Sequence, residues 1–211
     1  MTNFIPVFPL ALVVFPDEQL NLHIFEPRYK QLITDCFTQK KPFGIPSVIN
    51  DKLSERGTLM EITEITQVYE DGKMDIKTKG VCTFQILELI KSIPDKLYAG
   101  SIVSYPPNYA NGKPTLMQQV LKGVRLLHEN LGVTKQFAKP DDALQSFDVA
   151  HHMGLSLEEE YQLLEYEQEL HRQEYLKRHL ANVLPVMQEM SALQNKIKLN
   201  GHFKNLERFN L

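Results

Sequence analysis

Residues 8–32 read FPLALVVFPDEQLNLHIFEPRYKQL, and the change of period along this stretch decides the fold class. Residues 7–15 are rich in β-branched and aromatic side chains, with Pro6, Pro9 and Pro16 set around them. Proline brings no N–H to a sheet ladder, so the stretch predicts an edge strand or short strand pieces separated by bends. Pro16-Asp17 then makes a turn. Leu20, Leu22 and Ile24 alternate with Asn21 and His23, the period of two of a half-buried strand, which places His23 on the solvent side. At Glu26 the period lengthens. Pro27 suits the first position of a helix, where its missing N–H costs nothing. Tyr29, Leu32, Ile33, Cys36 and Phe37 follow at i, i+3, i+4, i+7 and i+8, one apolar stripe that should end before Pro42. Cys36 lies within the stripe and reads as a buried, inert thiol.

Outward from this stretch the first half of the chain continues as strands. Residues 43–49 read as a strand, 50–57 as a polar loop ending at Gly57, and 58–105 as a β-meander. Asp71-Gly72 predicts a hairpin turn of type I′, in which both central residues need positive φ. Met74, Ile76 and Thr78 alternate with Asp75, Lys77 and Lys79, and Gly80 marks the next bend. Phe84 and Ile86 share one face whereas Leu87 and Leu89 fall on the other, a change of register that predicts a β-bulge.

The segment YPPNYANGKP (105–114) is the composition break, dividing a β-rich lobe, 1–110, from a helical lobe, 111–211. Thr115 with Gln118 predicts a capped helix to about Leu131. A second helix is expected from Pro140 to about Met153, stopped by Gly154, and Ser156 with Glu159 caps a third through Glu165. A long helix is expected from about Glu167 to Lys198, with Leu176, Leu180, Val183, Met187, Met190 and Ile197 near heptad spacing. Pro185 should kink or break it. The seam predicts either packing on its own lobe or a homo-oligomer through the helical lobe.

A length of 211 residues with 43% hydrophobic and 23% charged side chains suits a folded protein of one domain or two small lobes. The formal net charge of −3 gives no electrostatic ground for binding nucleic acid or a membrane surface. Lys196, Lys198, Lys204 and Arg208 are sparse enough to read as a solvated tail. Cys36 and Cys82 lack metal spacing and are expected as reduced thiols. The opening MTNFIPVFPL has no basic start and long apolar run, and no window nears the length of a membrane span, so a cytoplasmic location is expected.

Catalytic signatures are missing. Gly112-Lys113 runs into Pro114, which is no phosphate loop, and no G-x-S-x-G, H-E-x-x-H or C-x-x-C occurs. His151 and His152 are adjacent and diverge on a helix, and His171 and His179 stand about two turns apart, too far to chelate one ion. Glu158-Glu159-Glu160 complements a helix dipole. No catalytic residue, metal or cofactor is expected.

Phe8-Pro9-Leu10, Val14-Phe15-Pro16 and the run Leu22-His23-Ile24-Phe25-Glu26-Pro27-Arg28-Tyr29, with the Asp71-Gly72 hairpin and Gly80, resemble the substrate-binding, N-terminal domain of ATP-dependent Lon proteases. His152-Met153-Gly154-Leu155-Ser156 and Tyr161-Gln162-Leu163-Leu164 look like that family's C-terminal lobe. The resemblance implies an α+β fold: a PUA-like β pseudo-barrel with one helix, then a C-terminal helical bundle ending in a long helix. In the family's G-x-x-R-F, Gly80 and Phe84 are kept while Thr83 replaces the arginine. Neither the ATPase nor the serine–lysine protease module of Lon is visible in these residues, so a stand-alone Lon-domain protein without peptidase activity is expected. The resemblance implies a non-catalytic module that binds unfolded or partly folded polypeptide, or a partner protein, with Phe25, Arg28 and Tyr29 as contact residues. An RNA-binding PUA-like protein and an enzyme with a dispersed site are the alternatives.

Overall fold

The computed structural model describes residues 2–206, with residues 191, 194, 195 and 198–206 described by backbone alone. Lys198, Lys204 and Arg208 of the basic tail thus lie outside the described side chains. The chain divides into two compact units, Met1–Tyr109 with Leu155–Glu167, and Ala110–Gly154 with Gln168–Leu211. Residues 155–167, placed with the helical lobe on sequence grounds, therefore pack with the β-rich unit.

The first unit is built on six strands: β1 (Thr2–Pro6), β2 (Gln19–Ile24), β3 (Phe43–Ile49), β4 (Lys52–Val68), β5 (Met74–Ile90) and β6 (Gly100–Ser104). They form one antiparallel sheet in the order β1-β6-β5-β4-β3, with β2 paired to the first half of β5. The sheet is open as a ladder. Beyond β1 the chain meets β3 only at two isolated parallel bridges, Val7 with Gly44 and Leu10 with Ser47.

Of the two forms expected for residues 7–15, the continuous edge strand is not formed, and the stretch makes only short bridged pieces against β3, with Phe8 N–H donating to Gly44 O at 2.8 Å and Val48 N–H to Leu10 O at 2.8 Å. The prolines remove ladder donors, and the stretch serves as core: Val7, Val13, Val14 and Phe15 are each 2% exposed or less. Thr58 Oγ1 donates to the Val14 carbonyl. Asp17 N–H donates to the Gly80 carbonyl at 3.0 Å. Gly80 is no bend but a place of close approach inside β5, where a Cβ would stand 2.4 Å from the Phe15 carbonyl oxygen. The expected 50–57 loop is strand as well. Ile49 pairs with Lys52, so Asn50 and Asp51, at φ 50° and 59°, close a two-residue hairpin of the primed kind. At the other hairpin Gly72 takes φ 76° and Asp71 is not among the residues of positive φ. The turn is therefore a longer loop, closed by Gly72 N–H to Tyr69 O and Tyr69 N–H to Lys73 O, both 2.9 Å, and not type I′. The expected bulge is present, between Ile86 and Glu88.

Helix α1 (Pro27–Gln39) starts with Pro27 at its first turn and stops at Lys40, which turns left-handed at φ 51°. Tyr29, Leu32, Ile33 and Cys36 are buried, whereas Phe37, the last member of the stripe, is 46% exposed. The buried four pack with Phe8, Val14, Ile24, Phe43 and Met60 in the larger of this unit's cores. Helix α4 (Leu157–Glu165) has the expected box: Ser156 N–H donates to Glu159 Oε2 at 2.8 Å and Glu159 N–H to Ser156 Oγ at 3.2 Å.

The second unit holds α2 (Pro114–Leu131), α3 (Ser146–Val149) and α5 (Glu169–Leu206). The Thr115–Gln118 box does not form, because Pro114 takes the first helical position and Lys113 the cap. Gly123 lets α2 and α5 close up, since a Cβ there would lie 2.8 Å from Leu180 Cδ1. The helix expected over 140–153 shrinks to α3 and a 3-10 turn at Ala150–His152. Asp148 accepts the Gln145 N–H at 2.8 Å and sets the start at Ser146, whose own N–H goes to the Glu169 carboxylate at 2.9 Å. α5 runs through Pro185 without a break. Ala181, whose carbonyl loses its partner there, is exposed and can bond to water. Of the heptad seam, Leu176 and Leu180 are buried, Val183 and Met187 half-buried, and Met190 and Ile197 exposed.

Candidate functional site

Three elements of the first unit build the site around Phe25: the end of β2, the first turn of α1 and the tip of the β4–β5 hairpin. The alternation in β2 turns Ile24 into the core, at 1% exposure, and leaves Gln19, Asn21 and His23 outward. The register sets His23 opposite Asp75, with Nδ1 2.6 Å from Oδ1. Tyr69, at the hairpin tip, donates its hydroxyl to the other oxygen of the same carboxylate at 2.7 Å. The Tyr69 and His23 bonds hold the Asp75 carboxyl below its ordinary range, and the carboxylate in turn pushes the Tyr69 phenol up. Lys30 Nζ of α1 donates to the Asp71 carbonyl at 2.8 Å, tying the helix to the same tip.

Phe25 lies nearly parallel to the His23 ring, centroids 6.2 Å apart, and Tyr69 meets His23 edge-on at 5.8 Å. The result is an aromatic surface beside an exposed polar network: Phe25 is 57% exposed and Tyr69 42%, and Asp75 joins His23 to Tyr69. A carboxylate bonded to both rings ties His23 to Tyr69, which lowers the ordering cost of those two side chains on binding.

The other two expected contact residues divide. Arg28 is on the surface, with Nε donating to Glu26 Oε2 at 2.8 Å and its guanidinium 4.5 Å from the Tyr29 ring centroid. Tyr29 is 7% exposed and stacks on Phe8 at 3.9 Å. Burial pushes its phenol up. It belongs to the core and supports Arg28 from below. His23, Tyr69 and Asp75 were not singled out on sequence grounds. Their assembly depends on β2 pairing with a strand some fifty residues away, and a single sequence carries no sign of that register.

The second unit contains a cleft of about 890 Å³, lined in part by Met117, Leu121, Leu144 and the Arg125–Asp141 ion pair. Glu169 and Gln173 at its wall are committed to structure. The Glu169 oxygens accept from Ser146 N and Oγ, Arg172 Nε and Gln173 Nε2, which leaves the carboxylate poorly placed to serve as a base. Among the described residues no helix is long and apolar enough to cross a membrane.

The family model for the ATP-dependent protease La (LON) substrate-binding domain matches residues 5–182 of this chain. A Lon N-terminal domain protein from Xanthomonas campestris is 22% identical and superposes with a TM-score of 0.64 over 82% of this chain and 96% of its own. The N-terminal domain of the Mycobacterium avium complex Lon protease is 15% identical, with a TM-score of 0.61 over 86% of this chain and 100% of its own. At these identities the two structures establish a shared fold. With a family match over most of its length, the chain belongs to the Lon substrate-binding domain family.

Proposed function

We propose that the chain is a non-catalytic module that captures unfolded or partly folded polypeptide on the surface formed by Phe25, His23 and Tyr69, and that it does so in the cytoplasm. The exposure of Phe25 on an imidazole anchored by Asp75 carries the reading. Large apolar side chains held rigidly at the surface are the usual anchors of protein recognition. The family is described as substrate-binding, and the free thiols Cys36 and Cys82 suit a reducing compartment. An RNA partner is the weaker reading, given a formal net charge of −3.

Covering the exposed 57% of Phe25 removes roughly 100 Å² of apolar surface, worth on the order of 2–3 kcal/mol at the usual transfer coefficient. Fluorescence anisotropy with a labelled, reduced and unfolded polypeptide tests the reading. Micromolar binding weakened about thirtyfold or more by Phe25→Ala is expected. Full affinity in that variant would remove the patch as the site, and no binding at high micromolar concentration would remove the function.

A further inference from the structure

Beyond the stretch where it pairs with both β2 and β4, β5 continues into the part of the sheet completed by β6. The flap β2-β5-β4 therefore has two outer edges, and they differ. The β4 edge is blunted: pairing with β3 stops at Met60, and the ladder to β5 slips between Ile62 and Glu64 and again between Ile65 and Gln67. It also carries Glu61 and Glu64. Bulges and charges are the devices by which proteins keep an edge from pairing with another chain. β1 ends at Pro6, and β3 contains Pro46, a bulge and the Val7 and Leu10 bridges.

β2 has none of these. QLNLHI contains no proline and no formal charge, pairs with β5 over six residues without a slip, and has no strand on its other side among the described residues. The direction of its free groups follows from the ladder. Gly80 N–H donates to Glu18 O at 2.8 Å, and Glu18 and Gly80 continue the register that pairs Gln19 with Lys79. In an antiparallel ladder bonded and non-bonded pairs alternate, so Leu20, Leu22 and Ile24 turn their main-chain groups to β5. The amides and carbonyls of Gln19, Asn21 and His23 face outward. On the core side Leu20 and Leu22 are only half-buried, although they pack against the main cluster. The edge thus offers a row of main-chain donors and acceptors beside an apolar row left partly open, and it ends at Phe25.

We infer that β2 is a strand-addition edge: an extended segment of the captured polypeptide, with alternating apolar side chains, pairs its main chain with Gln19, Asn21 and His23 and lays its apolar side chains over Leu20 and Leu22. The inference rests on the polypeptide-binding reading above and specifies its substrate as extended chain recognised through the backbone. Such recognition tolerates many sequences and excludes chain already folded into helix.

The test uses a labelled ten-residue peptide alternating Val with Thr and Lys, and two versions of it N-methylated at alternate residues in opposite phase. With the peptide antiparallel to β2, as β5 is on the other side, and its apolar face over Leu20 and Leu22, the N–H groups of its polar residues point at β2, so one phase blocks the bonds and the other does not. The expected result is a loss of at least about tenfold for one phase, from several lost hydrogen bonds, and near-parent affinity for the other. Asn21→Pro removes an outward N–H and leaves the β5 ladder intact. It should keep the thermal transition and lose binding to a similar degree. If both phases bind equally, strand addition is refuted. If Phe25→Ala still weakens the peptide in that case, the polypeptide-binding reading survives without it. If the parent peptide and unfolded polypeptide both fail to bind, both readings fall. Should Asn21→Pro unfold the protein, the phase comparison on the unaltered chain still decides.

Discussion

Replacing Arg172 by Met should be among the most damaging single changes in the second unit. Arg172 and Glu169 are each 2% exposed, with Arg172 Nε 2.9 Å from Glu169 Oε2. Arg172 Nε also donates to Ser146 Oγ at 3.1 Å, and the guanidinium lies 4.3 Å from the Phe147 ring centroid. Burial pulls the guanidinium below its ordinary value and the Glu169 carboxylate pushes it back. Arg172→Met removes the cation of this buried ion pair and leaves the Glu169 carboxylate with neutral donors only. Breaking such a pair costs about 3–5 kcal/mol, a large part of a total stability of roughly 5–15 kcal/mol. Glu169→Gln removes the charge but keeps an oxygen for the Ser146 N–H. In the double variant no uncompensated charge remains, so Glu169→Gln should restore about 2 kcal/mol or more to Arg172→Met. Urea unfolding followed by far-UV circular dichroism, read as the midpoint at constant slope, measures each corner of the cycle. A cost below about 1 kcal/mol for Arg172→Met, or strict additivity in the double variant, would refute the argument that an unpaired buried charge dominates.

Gly80→Ala would force a Cβ to within 2.4 Å of the Phe15 carbonyl and should cost about 1–3 kcal/mol in thermal unfolding. Asp35 accepts from Lys96 Nζ at 2.7 Å and Tyr98 hydroxyl at 2.8 Å; Lys96 above all holds its carboxyl below the usual range. Its contribution is therefore full above the unfolded value of roughly 3.9 and is lost as the pH falls through the lower folded value. Asp35→Asn should flatten the stability profile in that acid window, and an unchanged slope there would count against the assignment. Burial pushes the Cys36 thiol up to about 12, so iodoacetamide at pH 8 should leave it unmodified in the native protein and label it in urea, as followed by mass spectrometry.

The parts of the fold legible in the sequence are those set by local chemistry. The period change at Glu26, the Ser156–Glu159 box and the slip after Ile86 each depend on residues within a turn or two, and each is present. Where a neighbour in space competes, the local signal fails. Thr115 and Gln118 make a sound box, but Pro114 occupies the helix start. Pro140 opens no helix, because the Ser146 N–H is taken by Glu169 from α5. The polar segment 50–57 reads as loop until it is seen that Asn50 and Asp51 alone supply the turn. Residues 7–15 have strand composition but only two isolated bridges to β3, since prolines interrupt them and their apolar side chains fill the core against the sheet.

The candidate site shows the same division. Phe25 follows directly from the strand-to-helix junction, where the chain leaves β2 after Ile24 has turned inward and before Pro27 begins α1. A large side chain at that position has no face of either element to pack under, and it stays exposed. Tyr29, two residues into the helix, is claimed by the core for the converse reason. What the sequence conceals is the partner across the sheet. His23 is an unremarkable polar position until Asp75 faces it, and the plain polarity of QLNLHI becomes meaningful only beside a β4 edge that carries two bulges and two glutamates. A strand that needed no recognition role would gain from a lysine or a bulge at Asn21 or His23. Neither is present, and this uncharged edge without a slip is the one that leads into Phe25.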